Sequence, residues 1–269
     1  MAPRIGYWPR VHLGAPETAK EEREMRDYGP STFGKLNAEH YDTFYPADAA
    51  TLESVDLLAE LAGGGSVLEL AIGTGRVALP LAARGLSVSG IEASEEMIAR
   101  LTDKPGGEAI RVVLGDMADV DIDGEFDLVF LVFNTLFNLT RQDDQVRCFQ
   151  NVARRLTPHG VFVIEAFVPD IAHFVDHHRV RTVGVTFGSA HLEASVHDPV
   201  TQVITYQYIT LNQAGVRLTP LPMRYAWPCE IDLMARLAGL RLQERWGGWD
   251  RSAFTAASSK HVSVYGWPD

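Results

Sequence analysis

Cysteine is nearly missing from this chain. Cys148 and Cys229 are the two in 269 residues, far apart and without metal-ligand spacing. A disulfide-stapled scaffold is therefore excluded, and a reduced, cytoplasmic protein is expected, with one Cys148–Cys229 bridge as the alternative. Long apolar runs are missing too. The longest, residues 128–133, is far too short to span a bilayer, so no membrane partner is expected. The N-terminus lacks the basic-then-apolar layout of an export signal. Basic residues are in deficit, with 24 Lys and Arg against 35 Asp and Glu and a formal net charge of −11. That balance removes the electrostatic footprint of a nucleic-acid binder. Repeats and low-complexity tracts do not occur.

What is present is a chain long enough, at 46% hydrophobic residues, to bury a full core. It divides by pattern into an N-terminal arm and aromatic lid helix (1–50), an α/β core (51–168), an antiparallel β insertion (169–225) and a closing helix with two strands (226–269). Within the first part, 1–14 reads as irregular, 16–27 as a charged helix, and 36–48 as a short helix rich in His40, Tyr41, Phe44 and Tyr45. An amphipathic helix over 52–61 ends at three glycines. Strands are then expected at 67–70, 87–91, 110–114, 128–133 and 161–167, with helices over 77–84, 95–101 and 143–156 between them. Pro80 is tolerable in the first turn of a helix starting at Val77, where N–H groups are unpaired anyway. Apolar strands alternating with helical crossovers predict a doubly wound, mostly parallel sheet. Period-two alternation over 180–187, 191–197, 203–211 and 216–225 predicts the inserted meander. A helix over 230–238 and an edge pair at 241–246 and 261–265 complete the chain.

The stretch at 67–76, Val-Leu-Glu-Leu-Ala-Ile-Gly-Thr-Gly-Arg, runs from strand into helix through two glycines. Such a turn lets backbone approach a ligand and offers free N–H groups at the helix start. On its own it also fits the dinucleotide pattern G-x-G-x-x-A with Glu92 downstream. Three further features separate the readings. Glu69 lies inside the loop motif, and Glu92 closes the next strand in Gly-Ile-Glu-Ala-Ser. Gly115-Asp116-Met117 follows the third strand. Phe126-Asp127-Leu128-Val129-Phe130 opens a fourth that ends at Phe133-Asn134-Thr135.

Together these resemble the class I methyltransferases that use S-adenosylmethionine (SAM), with Ala71 in place of the family's first loop glycine. Tyr41-Asp42, Ala71, Gly115-Asp116-Met117, Glu165 and the insertion after strand five resemble the small-molecule branch, which includes antibiotic amino-sugar N,N-dimethyltransferases. The resemblance implies a Rossmann-like fold and SAM as cofactor. It passes the loop Ala71, Gly73, Thr74 and Gly75 under the methionine part and counts Tyr45, Glu69, Arg76, Ala93 and Phe133 among the cofactor-binding residues. Glu92 takes the ribose hydroxyls, Met97 packs near them, and Asp116 and Met117 hold the adenine. Where the sugar enzymes carry Gly-His-Leu, this chain has Phe137-Asn138-Leu139.

Methyl transfer is an in-line displacement that chiefly requires alignment and dryness. The residues expected at the acceptor are Tyr41, Asn138 and Glu165, with Glu165 equally readable as a helix cap. His173, His177 and His178 lack an acidic partner and read as a solvated cluster rather than a metal site. Trp246, Trp249 and Trp267 read as packing. His191, Glu193 and Tyr206 read as a roof over the acceptor or a subunit contact, so that any homo-oligomer would form through the insertion or the N-terminal arm. The resulting expectation is methyl transfer to nitrogen or oxygen of a small-molecule natural-product intermediate. The alternatives are a protein of the same fold that binds SAM without transferring methyl, and an NAD-dependent oxidoreductase.

Overall fold

The computed structural model describes residues 28–268, so the arm expected over 1–14 and the helix expected over 16–27 lie outside the described residues. The single aromatic helix expected over 36–48 is instead two short ones, α1 (Thr32–Asn37) and α2 (Tyr41–Phe44). Asn37 ends the first by donating its Nδ2 back to the Phe33 carbonyl at 2.8 Å, a local bond typical of helix ends. Tyr45 ends the second at φ −127°, ψ 61°, because it precedes Pro46 and proline pushes its predecessor out of the helical region. Helix α3 (Ala49–Ala62) starts earlier than expected because Asp48 caps it, accepting the Thr51 N–H at 2.9 Å in a reciprocal capping box.

The core then alternates as the hydrophobic pattern requires. Its elements are β1 (Ser66–Leu70), α4 (Ala78–Ala83), β2 (Ser87–Glu92), α5 (Glu95–Thr102), β3 (Arg111–Leu114), β4 (Phe126–Leu131), α6 (Gln142–Ala153) and β5 (Leu156–Phe167). Strand β5 is longer than the expected 161–167. Phe126 pairs with Leu156 but Leu128 pairs with Val161, so the Pro158-His159-Gly160 turn sits inside the strand as an irregularity. A Cβ on Gly160 would meet the Phe126 carbonyl oxygen at 2.6 Å, which is why glycine serves there. After β5 come β6 (His178–Val185), β7 (Ser189–Asp198), β8 (Val203–Asn212), β9 (Gly215–Arg224), α7 (Pro228–Leu237), β10 (Arg241–Trp246) and β11 (Lys260–Gly266).

The large sheet has seven strands in the order β10-β11-β5-β4-β1-β2-β3. Its first five strands in sequence run parallel, and β11 joins β5 antiparallel, with β10 at the edge. One face buries Val55, Leu58, Leu81, Phe130 and Val262; the other buries Phe137, Phe149, Phe162 and Tyr265. Cys148 is buried and Cys229 exposed, and both are free. Among the described residues, no helix is long and apolar enough to cross a membrane.

The meander forms its own sheet, β6-β7-β8-β9, but shares the core. Ile204, Leu221 and Met223 belong to the same buried cluster as Phe137 and Phe162. Buried Arg224 closes the junction, donating to Gln145 Oε1 at 2.6 Å and to Glu230 Oε1 at 2.7 Å. A fragment of residues 169–225 exposes this inner face and deprives Arg224 of Gln145 and Glu230. Expressed alone, it should be unfolded or aggregated; dispersed amide resonances from the soluble fragment would contradict this.

Candidate functional site

A doubly wound sheet opens its cleft beyond the carboxyl ends of its strands, where successive connections diverge. Strand β1 pairs with β2 on one side and β4 on the other, so the cleft falls at the loop after β1. That loop is left-handed at three residues, with φ of 53° at Ala71, 57° at Gly73 and 80° at Gly75. Two bonds to the β2 strand fix it. Ile72 N–H reaches the Ile91 carbonyl at 3.0 Å, and Gly73 N–H reaches Glu92 Oε2 at 2.9 Å. Glu92 Oε1 accepts the Ser94 N–H at 2.9 Å, so one carboxylate ties the first loop to the start of α5. Burial raises the Glu92 pKa, and these backbone bonds partly oppose the rise.

Two joined recesses make the cleft. The larger, of about 450 Å³, is lined by Tyr41, Ala71, Gly73, Glu92, Ala93, Met97, Asp116, Met117 and Asn138, together with Tyr28, Phe33 and Thr135. The smaller, of about 40 Å³, shares Tyr41, Ala71, Gly73 and Thr135 and adds Glu69, Thr74, Arg76 and Phe133. Gly75 lines neither recess, and a Cβ there would meet Leu79 and Leu101. Tyr45 stands behind Tyr41, with ring centroids 5.1 Å apart.

Polar groups in the cleft differ in what they already hold. Asp116 Oδ1 is taken by the Ala118 N–H at 2.8 Å. Glu69 Oε2 and Asn138 Oδ1 are buried without a hydrogen-bond partner. Among the described residues Arg76 makes no hydrogen bond or ion pair; its guanidinium carbon lies 3.3 Å from the Phe133 ring centroid and 6.0 Å from that of Tyr41. Burial drives the Glu69 pKa well above the ordinary carboxylate value, partly opposed by the Arg76 charge. Tyr41 and Tyr45 are likewise raised by burial against the pull of Arg76, so both remain O–H donors.

Glu165 does not line the cleft. Its carboxylate accepts the Phe133 N–H, Trp249 Nε1–H and Lys260 Nζ–H, each at 3.0 Å. Trp249 thus does more than pack, and so does Trp267, which donates to the Thr157 carbonyl at 3.0 Å. His173 pairs with Asp170 at 2.8 Å, and among the described residues no group of three or more metal-ligating side chains forms. Glu193 is buried on the inner face of the second sheet, gripped by Arg181 through two bonds of 2.7 Å. A separate depression of about 620 Å³ lies between α7 and β10, but its carboxylate, Asp232, is already held by Arg245 and Tyr265.

The sequence reading missed a latch. Asp42 on α2 accepts from Thr74 Oγ1 at 2.6 Å and pairs with Lys104 at 2.7 Å, while Lys104 also donates to the Thr74 carbonyl at 2.8 Å. Burial pushes the Asp42 pKa up, but the Lys104 and Thr74 bonds outweigh it and hold the pKa below the ordinary value. The Tyr41-Asp42 pair was visible in the sequence. Its partners, some 30 and 60 residues on, were not.

Residues 67–160 match the family defined as "Methyltransferase domain". The CcbJ methyltransferase from Streptomyces caelestis superposes with a TM-score of 0.85 at 39% identity, over 90% of this chain and 100% of that one. The cypemycin N-terminal methyltransferase of a Streptomyces species is 28% identical over 214 residues, 75% of this chain and 82% of its own length. The dTDP-4-amino-2,3,4,6-tetradeoxy-D-glucose N,N-dimethyltransferase of Saccharopolyspora spinosa is 29% identical over 204 residues, 70% of this chain and 77% of its own length.

The raised pKa of Glu69 has a consequence for stability. The folded protein keeps a proton that the unfolded chain would release. This contribution is full below the ordinary glutamate value and is lost as pH rises through the raised one. Glu69→Gln cannot ionise, so in urea unfolding its stability should gain on that of the wild type as pH rises above the ordinary glutamate value. A difference between the two proteins that stays constant with pH would remove Glu69 from the list of strained groups.

Proposed function

The chain belongs to the SAM-dependent methyltransferase family, and from that premise we propose that it transfers a methyl group to a nitrogen of a small-molecule acceptor. The cleft fits the cofactor. A buried carboxylate oxygen on Glu69 lacks a donor and Arg76 lacks an acceptor, which complements the ammonium and carboxylate of a methionine moiety. Glu92, Asp116 and Met117 line the same recess, which supports reading Glu92 as the partner of the ribose hydroxyls and the other two as the hold on the adenine. SAM, when bound, supplies a methyl group on a positively charged sulfur.

The chain's own task is alignment and exclusion of water. The observation that carries the nitrogen reading is the lack of an available base among the groups expected at the acceptor. Glu165 lies outside the cleft and already accepts three donors, Asn138 is a neutral amide, and Tyr41 keeps its proton. An amine that enters unprotonated needs no base, whereas a hydroxyl usually does. The unpartnered Asn138 Oδ1 is an acceptor awaiting a donor, and an amine N–H supplies one. Two relatives point the same way, since one is named for methylation of a peptide N-terminus and the other for a sugar amine. For assembly, the outer face of the second sheet presents Val180, Val185, Val216 and Leu218 at 60–70% exposure, the surface on which we place any pairing with a second copy.

The test is transfer of labelled methyl from SAM to a pool of amine and hydroxyl acceptors, read by mass spectrometry. Label confined to oxygen would overturn the nitrogen assignment. Tyr41→Phe should lower turnover in a folded protein, and Asn138→Ala should mainly raise KM for the acceptor. Glu92→Ala should weaken cofactor binding by about 1–3 kcal/mol, the cost of unpaired polar groups in a buried site. Calorimetry showing unchanged affinity would take Glu92 out of the cofactor site.

A further inference from the structure

Glu165 is buried, with its side chain 8% exposed, and its contacts converge on one turn. Besides the carboxylate bond to the Phe133 N–H, the Glu165 carbonyl accepts the Asn134 N–H at 3.2 Å. Asn134 Oδ1 in turn accepts the Phe167 N–H at 2.7 Å. The turn so held consists of two consecutive non-glycine residues in the left-handed region, Phe133 at φ 57° and Asn134 at φ 65°. Such a conformation is strained for a bulky residue such as Phe133 and persists only where the surroundings over-determine it. Their effect here is to set the Phe133 ring against the Arg76 guanidinium, 3.3 Å from carbon to ring centroid. That stacking orients a cation that makes no hydrogen bond among the described residues.

We propose that Glu165 is a positioning residue for methyl transfer: it locks the Phe133–Asn134 turn and thereby holds Arg76 in register at the methionine end of the cleft. The inference rests on the reading of that cleft as the cofactor site. Trp249 and Lys260 serve the same end from the far side, pinning Oε1 so that Oε2 remains on the Phe133 N–H. This arrangement also takes Glu165 away from the acceptor: it lines neither recess, and its carboxylate is committed to the Phe133 turn, Trp249 and Lys260.

The test uses binding of S-adenosylhomocysteine, measured by calorimetry on the full chain, alongside steady-state kinetics. Glu165→Gln leaves one acceptor oxygen and replaces the other with a donor. It should weaken binding about tenfold and leave the acceptor KM unchanged. In an Arg76→Leu background, the same substitution should change affinity less than about twofold, because the two residues act in series. Phe133→Leu removes the ring that links the two, so it should reproduce the loss and serves as the probe if Glu165→Gln fails to fold. Equal losses in both Arg76 backgrounds would overturn the proposal alone. So would a Glu165→Gln protein that binds normally but loses kcat together with the acid limb of its pH–rate profile. A wild type that does not bind S-adenosylhomocysteine would overturn the cleft reading and this proposal with it.

Discussion

A carboxylate removed from water must be given donors, and three of them at strand ends organise this cleft. Glu69, Glu92 and Glu165 are 4%, 7% and 6% exposed, on β1, β2 and β5. Glu92 has its donors from the loop after β1 and from the start of α5; Glu165 has its donors from β11, Trp249 and the turn after β4. Each converts the cost of burial into a rigid link between segments far apart in sequence. Glu69 is the exception, because Oε2 has no partner. Leaving such a group unpaired costs about 1–3 kcal/mol, a penalty a protein bears where a ligand supplies the missing donor.

The remaining wall comes from α1, α2 and the segment from Thr135 to Asp144, and the second sheet braces the two helices from outside. Helix α2 is held to the core loop by Asp42, Thr74 and Lys104. From the other side Arg217 of β9 donates to the Leu36 carbonyl at 2.8 Å and lies 5.6 Å from the Phe44 ring centroid. Helix α1 and α2 bury few apolar side chains, so these polar contacts carry much of their attachment. Polar attachments to exposed elements open at lower free energy than the packed sheet. Both short helices are thus tied to the loop after β1 and to β9 mainly through side-chain bonds, unlike the packed strands beneath them.

Most of this architecture could be read from the chain because it follows from local chemistry. The alternating apolar strands, the glycine turn at 73–75 and the period-two meander carry their own signals, and the elements formed where those signals lay. Boundaries shifted where a neighbouring residue ruled: Pro46 cut the lid helix at Phe44, Asp48 lengthened α3, and Gly160 let the 158–160 turn lie inside β5. The roles of Asp42 and Glu165 were not legible. Each depends on partners that only the sheet order brings near, such as Lys260, which pairs with a side chain 95 residues earlier. Periodicity reports which face a residue takes, not which distant donor it meets.

Ala71 shows how these long-range links allow a departure in the loop itself. The resemblance puts glycine at this position, and alanine at φ 53° carries a cost of about 1–2 kcal/mol from its Cβ. The neighbouring bonds absorb it: Ile72 is fastened to Ile91 and Gly73 to Glu92, so the backbone on the C-terminal side of Ala71 has no freedom to relax. Ala71 lies in a wall shared by both parts of the cleft. The loop that a glycine would leave flexible is instead held by a buried carboxylate on the next strand. The shape of the site is thus set by the sheet and not by the loop's own preference.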